Sequence, residues 1–251
     1  MILWLQNLQN RQNFFFKFGE ARQPAASWRQ AVASRHIFNH CFVSFVSFVI
    51  KKKVMYRINE IFYSLQGEGF HSGTPAVFVR FSGCNLRCHF CDTQHQDGTM
   101  MSLQEIVDEV NKYPIAPLVV LTGGEPSLFI DEAFVAELKQ KMTGKIVAIE
   151  TNGTRTLPSN LDWVTLSPKT SFEGGDAAPC VVKRCDELKV VYLGQDLAQY
   201  DDIEAKHRFL QPCFCEDETE RLANMKACVE AVMQNPGWRL SMQIHRVLNI
   251  Q

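Results

Sequence analysis

The chain has 251 residues, 46% apolar and 21% charged, with 14 Gly, 10 Pro, 9 Cys and a formal net charge of −1. That length suits one large α/β domain or two small ones, and the apolar and aromatic content excludes a low-complexity disordered chain. A near-zero net charge gives no sign of a nucleic-acid or polyanion binder. The average conceals a split. Residues 1–54 carry eight Lys/Arg and one acid, Glu20, for a charge of +7, whereas residues 55–251 carry 18 Lys/Arg and 26 Asp/Glu, for −8.

The leader, 1–54, is rich in Phe, Gln, Arg and Ser and keeps no helical or strand period. Its apolar run Ile37–Ile50 is 14 residues long, short of the ~20 that a spanning helix needs. The run lies too far from Met1, and lacks the small-residue cleavage site, for a secretory signal. The expectation is that 1–54 is disordered or a mis-assigned start, with Met55 the true beginning. An Arg- and Ser-rich, acid-poor composition also admits a transit peptide, Lys51-Lys52-Lys53 a membrane-surface anchor, and a folded subdomain is the third alternative.

From Met55 apolar strand runs alternate with amphipathic segments. Leu65-Gln-Gly-Glu-Gly69 is a loop between the Ile58–Tyr63 segment and the first core strand, Ala76–Phe81. Arg80 lies within that strand on the face of Phe78; an Arg there needs a partner, either a substrate carboxylate or an internal ion pair. A cysteine-bearing loop follows. Ser102-Leu-Gln-Glu105 is a capping-box start for a helix with Leu103, Ile106, Val107 and Val110 on one face. Strands are predicted at Leu118–Thr122, Ile146–Glu150, Asp162–Leu166, Glu187–Tyr192, Arg208–Gln211 and Arg239–Ile244. Helices are predicted at Asp131–Met142 and Glu218–Met233. The link between Glu150 and Asp162 contains Pro158 and is too short for a full helix. This alternation predicts a parallel sheet with helical crossovers, a partial (β/α) barrel of about six parallel strands.

The nine cysteines are odd in number and no secretory signal precedes them, which argues against a disulfide scaffold. Cys84, Cys88 and Cys91 crowd into one loop, a spacing that in a reducing compartment reads as metal or cluster ligation. A structural zinc site wants four ligands, and His89 and His95 are the nearest fourth candidates. A four-iron cluster held by three thiolates keeps one iron open, which suits a catalyst. Free thiols are the remaining alternative. Cys180, Cys185, Cys213 and Cys215 pair as CxxxxC and CxC, a weak second-site signal better read as incidental buried thiols, and Cys228 falls on a helical apolar stripe.

The polar clusters all fall just after strands, where parallel α/β folds gather their loops into one active face. They are the cysteine loop, Gly123-Gly124-Glu125-Pro126, Thr151-Asn152-Gly153 and Ser167-Pro168-Lys169. Gly-Gly lets backbone approach a ligand closely. Ser167 and Lys169 offer a hydroxyl and an ammonium. Asp92 and Thr93 offer hard oxygen atoms suited to Mg²⁺. Gln66 and Glu68 can hydrogen-bond a polar heterocycle. Each feature alone is also an ordinary turn or a solvated strand end; their convergence is what argues for an enzyme.

Cys84-x₃-Cys88-x-Phe90-Cys91 and Gly123-Gly-Glu-Pro126 resemble the signatures of radical S-adenosylmethionine (SAM) enzymes. The stretch Ile58–Gly69, Cys91-Asp-Thr93, Ser167-Pro-Lys169 and Trp238–His245 narrow the likeness to the 7-carboxy-7-deazaguanine synthases, from Met55 to the C-terminus. The resemblance implies a compact radical SAM core, a [4Fe–4S] cluster on Cys84, Cys88 and Cys91, S-adenosylmethionine, and Mg²⁺ on Thr93. It implies contacts to S-adenosylmethionine from Gly124, Ser167, Pro168 and Lys169, and to substrate from Leu65, Gln66, Gly67, Arg80 and Thr122. Glu68, Gln243 and His245 are carried over more loosely, and Thr151 and Asn152 are candidates for the cofactor side. The implied reaction is the radical ring contraction of 6-carboxy-5,6,7,8-tetrahydropterin to 7-carboxy-7-deazaguanine with loss of ammonia, on the queuosine route. The implied partners are a reductase system and a second copy of the chain in a homodimer, with no nucleic acid, in the cytoplasm. A glycyl-radical activating enzyme and a zinc-stabilised binding module are the alternative readings.

Overall fold

The computed structural model describes residues 54–91, 93–169 and 179–251. The leader with Cys41, and Asp92 as an oxygen donor, lie outside the described residues. Those from Val54 onward form one unit.

Seven strands run parallel in sequence order: β2 (Pro75–Phe81), β4 (Leu118–Gly123), β5 (Ile146–Thr151), β6 (Trp163–Leu166), β7 (Arg184–Tyr192), β8 (Glu204–Pro212) and β9 (Arg239–Leu240). Two more, β1 (Met55–Leu65) and β3 (Thr99–Ser102), join the leading edge antiparallel, giving the order β3-β1-β2-β4-β5-β6-β7-β8-β9. Every predicted strand is present, and no helix joins β5 to β6. The predicted run Arg239–Ile244 is shortened to a two-residue strand. Ser241 donates its backbone N–H to Leu210, and three residues later Ile244 N–H already reaches Gly67 O at 3.0 Å. The chain leaves the sheet there and forms helix α4 (Ile244–Leu248).

Helix α1 (Leu103–Val110) begins as predicted. Ser102 Oγ accepts from Glu105 N–H, and the Glu105 carboxylate accepts from Ser102 N–H at 2.7 Å. Helix α2 (Glu132–Lys141) is capped by Asp131 Oδ1, which accepts from Phe134 N–H at 2.8 Å. Both helices pack on one face of the sheet, against Val77, Val79, Phe81, Val119, Leu121, Val147 and Ile149. Helix α3 (Glu218–Gln234) buries Cys228 completely, against Leu188, Val190 and Leu210. Full burial of such side chains contributes roughly 1.5–3 kcal/mol each.

Side chains alternate across a strand, so residues one step along occupy the other face. On that inner face Ala76, Phe78, Leu118, Val120 and Ala148 form a small apolar cluster. Continuing toward the carboxyl ends, the same face carries Arg80, Thr122 and Glu150. The inner face thus changes from apolar to polar along the strands, and the loops leaving those ends surround the polar part.

Candidate active site

One cavity of about 2080 Å³ opens at the carboxyl ends of the parallel strands. All the site residues named from the sequence line it except Pro168, which is buried in the turn beside Ser167 and Lys169. The topology therefore brings together loops that are up to 180 residues apart in the chain, from Leu65 to His245.

The cysteine loop presents Cys84 and Cys88 half-buried and Cys91 exposed, all three as free thiols. Leu86 N–H points to Cys84 Sγ at 3.4 Å, and Cys91 N–H donates to Cys88 O at 3.1 Å. The thiols share the cavity without meeting at one point; among the described residues no three His, Cys, Asp or Glu groups converge as a single ion requires. Burial pushes the Cys84 and Cys88 thiols up from their ordinary values, opposed at Cys88 by the Lys169 ammonium.

The Gly-Gly-Glu-Pro turn is locked to this loop. Gly124 N–H donates to Phe81 O and Glu125 N–H to Gly83 O, both at 2.9 Å. Gly123 has φ +114°, and a Cβ on Gly124 would stand 2.0 Å from Gly83 O, so neither position has room for a side chain. Glu125 is 0% exposed. Its carboxylate accepts from Ser127 N–H, from Thr151 Oγ1 at 2.7 Å and from Asn152 N–H at 2.7 Å. Glu125 is thus a tie between two loops. Asn152 in turn donates to Asn85 Oδ1 at 3.1 Å, completing the link to the cysteine loop. Lys169 Nζ donates to Ser167 O and Oγ, and burial lowers its pKa.

Arg80, in the strand that leads into the cysteine loop, makes the internal ion pair that was one of the two sequence expectations for it. Its Nε pairs with Glu60 at 2.8 Å, its Nη1 donates to Thr93 Oγ1 at 3.3 Å, and its guanidinium lies 5.5 Å over the Phe62 ring, itself stacked on Phe78. The Gln251 side chain donates to the other Glu60 oxygen at 2.7 Å, so the last residue of the chain braces this pair.

The same cavity is also lined by a charged floor. Glu68 pairs with Lys189 Nζ and accepts from Gln211 at 3.0 Å and Gln243 at 2.8 Å. Glu150 lies 3.7 Å from Lys189 Nζ and accepts from Gln66 at 3.1 Å and Thr122 at 2.7 Å. Burial opposes charge on both members of the pair, but the opposite charges prevail: Lys189 holds the Glu68 carboxyl down at about 2, and Glu68, Glu150 and Glu187 hold Lys189 above the usual lysine range. Glu187, more buried than paired, is pushed up by desolvation. The loop bearing Gln66 and Glu68 is pinned from the C-terminal segment, since Gly67 O accepts from Ile244 N–H and a Cβ at Gly67 would lie 2.1 Å from His245 Nδ1.

Glu150, Lys189 and Gln211 were not singled out from the sequence as site residues. The signal was present: Glu187 and Lys189 alternate with Leu188 and Val190 in one strand, and Glu150 ends another predicted one.

Residues 78–192 match the family model of the radical SAM superfamily. A 7-carboxy-7-deazaguanine synthase of Bacteroides thetaiotaomicron is 55% identical over 198 residues, covering 79% of this chain and 100% of that protein. The chain belongs to the 7-carboxy-7-deazaguanine synthase family. A second synthase, from Burkholderia multivorans, is 38% identical over 218 residues, covering 78% of this chain and 99% of its own. The crystal structure of QueE from Escherichia coli superposes with a TM-score of 0.60 at 28% identity, over 75% of this chain and 94% of that one.

Membership makes the chain a radical SAM enzyme and implies a [4Fe–4S] cluster and S-adenosylmethionine. The residues fit such a group: three thiols from one loop face one cavity, a backbone N–H points at the first sulfur, and glycines leave the adjoining turn bare. No helix among the described residues is long and apolar enough to cross a membrane.

Proposed function

We propose that this synthase-family chain converts 6-carboxy-5,6,7,8-tetrahydropterin to 7-carboxy-7-deazaguanine with release of ammonia, within 7-deazaguanine (queuosine) biosynthesis. The observation that carries the reading is the meeting, in one cavity, of the cysteine loop with a cationic anchor and a hydrogen-bonding floor. Cys84, Cys88 and Cys91 hold the cluster. Gly124, Ser167, Pro168 and Lys169 hold S-adenosylmethionine, supported by Thr151 and Asn152 through the buried Glu125. When bound, these groups supply a carbon-centred radical able to abstract hydrogen from the substrate.

The chain's own residues bind and orient. Arg80 receives the substrate carboxylate, with Glu60 holding the guanidinium in place. Thr93 would supply a hydroxyl to Mg²⁺; its Oγ1 accepts from Arg80 Nη1, which keeps it beside the residue that takes the carboxylate. Leu65, Gln66, Gly67 and Thr122 meet the pterin, and Glu68, Gln243 and His245 fix the loop that carries them. A reductase system feeds the cluster, the working unit is a homodimer, the location is the cytoplasm, and residues 55–251 are the catalytic domain.

Anaerobic reconstitution of wild type and Cys88→Ala tests the assignment of the cluster ligands. Iron uptake and S-adenosylmethionine cleavage are expected in the wild type and absent in the variant. Turnover by Cys88→Ala, or tight zinc in place of iron in the wild type, contradicts it.

A further inference from the structure

The floor has an underside. Beneath Glu68, Glu150 and Lys189 lies a second, small cavity of about 10 Å³, toward the amino ends of the strands. That volume is about one water-sized probe sphere, the threshold for holding a water when two to four polar partners are available. Its apolar wall is the inner-face cluster of Leu118, Val120 and Ala148, and its polar wall includes His71, Glu150 and Glu187. Glu150 lines both cavities.

His71 is held tightly at this place. Its ring stands edge-on to Trp163, with centroids 4.4 Å apart. The preceding residue, Phe70, donates its N–H to Glu187 Oε2 at 3.0 Å and packs its ring against those of Trp163 and His207. Gly69 sits at φ +64°, and a Cβ there would meet Glu187 Oε1 at 1.8 Å, so the backbone lies against the Glu187 carboxylate with no room for a side chain. In this setting His71 Nε2 is buried with no hydrogen-bond partner. A buried polar atom left so is costly, while both Glu150 oxygens and Glu187 Oε2, each accepting one hydrogen bond, can accept more.

We infer that the small cavity is the site of one ordered water that bridges His71 Nε2 to the Glu150 or Glu187 carboxylate, and that His71 is thereby a positioning residue for the substrate chamber. Glu150 spans the floor, taking Gln66 and Thr122 on the chamber side and the water from below. His71 acts through it and does not touch substrate. The occupant must be very small, and must both donate and accept, which water does.

The water site stands by itself, whereas the effect on turnover rests on the proposed ring contraction; two arms keep them apart. A crystal structure of the full chain, grown without ammonium salts, reads the cavity directly. The expected result is one water in hydrogen-bond contact with His71 Nε2 and with Glu150 or Glu187. An empty cavity, or Nε2 bonded directly to a protein group, overturns the site. In the anaerobically reconstituted enzyme, His71→Phe is expected to raise KM for the carboxypterin about tenfold while kcat stays within about twofold, and His71→Gln, which keeps a polar end, restores most of the loss. An unchanged KM in His71→Phe, or equal damage in both variants, overturns the positioning role. A wild type that makes no product refutes the ring contraction instead, and the crystal structure still decides the water.

Discussion

Replacing Lys189 by Met leaves the Glu68 carboxylate buried without its cation. Lys189 is 6% exposed, and its ammonium also faces Glu150 at 3.7 Å and Glu187. Breaking a buried ion pair by removing one partner costs about 3–5 kcal/mol, because the other charge is left uncompensated. For a folded unit of this size each kcal/mol moves the melting temperature by about 2–4 °C, so Lys189→Met is expected to lower it by roughly 6–20 °C. The double variant Lys189→Met with Glu68→Gln removes both charges and should recover most of that loss. The pH dependence follows from the same pair. Glu68 is held below its ordinary 4.5, at about 2, so its contribution is complete above pH 4.5 and is lost as pH falls toward 2. Lys189 is held above its ordinary 10.5, so its share is complete below that value and is lost only as pH rises past it. The wild type should therefore lose stability from pH 4.5 downward with a steeper slope than Lys189→Met. Thermal unfolding followed by circular dichroism across that range measures both effects. A single variant as stable as wild type, or a double variant no better than the single, refutes the reasoning.

Arg80→Gln should raise KM for the carboxypterin by about 10- to 100-fold, the worth of a charge-assisted hydrogen bond, with cluster content unchanged in iron analysis. Gly124→Ala drives a methyl into Gly83 O and should displace the cysteine loop, seen as loss of iron uptake on reconstitution. Thr93→Ala should weaken the response of rate to Mg²⁺ while leaving S-adenosylmethionine cleavage intact, read from rate against Mg²⁺ concentration.

The sequence was most legible where local chemistry decides structure. The Ser102–Glu105 capping box sits where its residue types place it, and the buried face of α1 is the predicted one. β1 was harder. Its apolar and polar residues do not alternate cleanly, because the pairing with β2 shifts register between Ile58 and Glu60. β3 is only four residues long, and its Thr, Met, Met and Ser carry little pattern. The last strand stops early for a tertiary reason, the pull of Ile244 onto Gly67. In the site, loops that follow strands were readable because parallel strands must deliver them to one end. The floor was not, because Lys189 finds Glu68 across 121 residues, and no local period pairs them. Arg80 shows the middle case: alternation placed it on the inner face, but its engagement with Glu60, Thr93 and Phe62 at once needed the fold.

The central claim is that this cavity turns a carboxypterin into a deazaguanine. Its most direct test is product analysis of the anaerobically reconstituted chain given S-adenosylmethionine, Mg²⁺, a reductant and 6-carboxy-5,6,7,8-tetrahydropterin. The account predicts 7-carboxy-7-deazaguanine and ammonia in equal amounts, both absent with Cys88→Ala. Cofactor cleavage with the pterin recovered unchanged would contradict it.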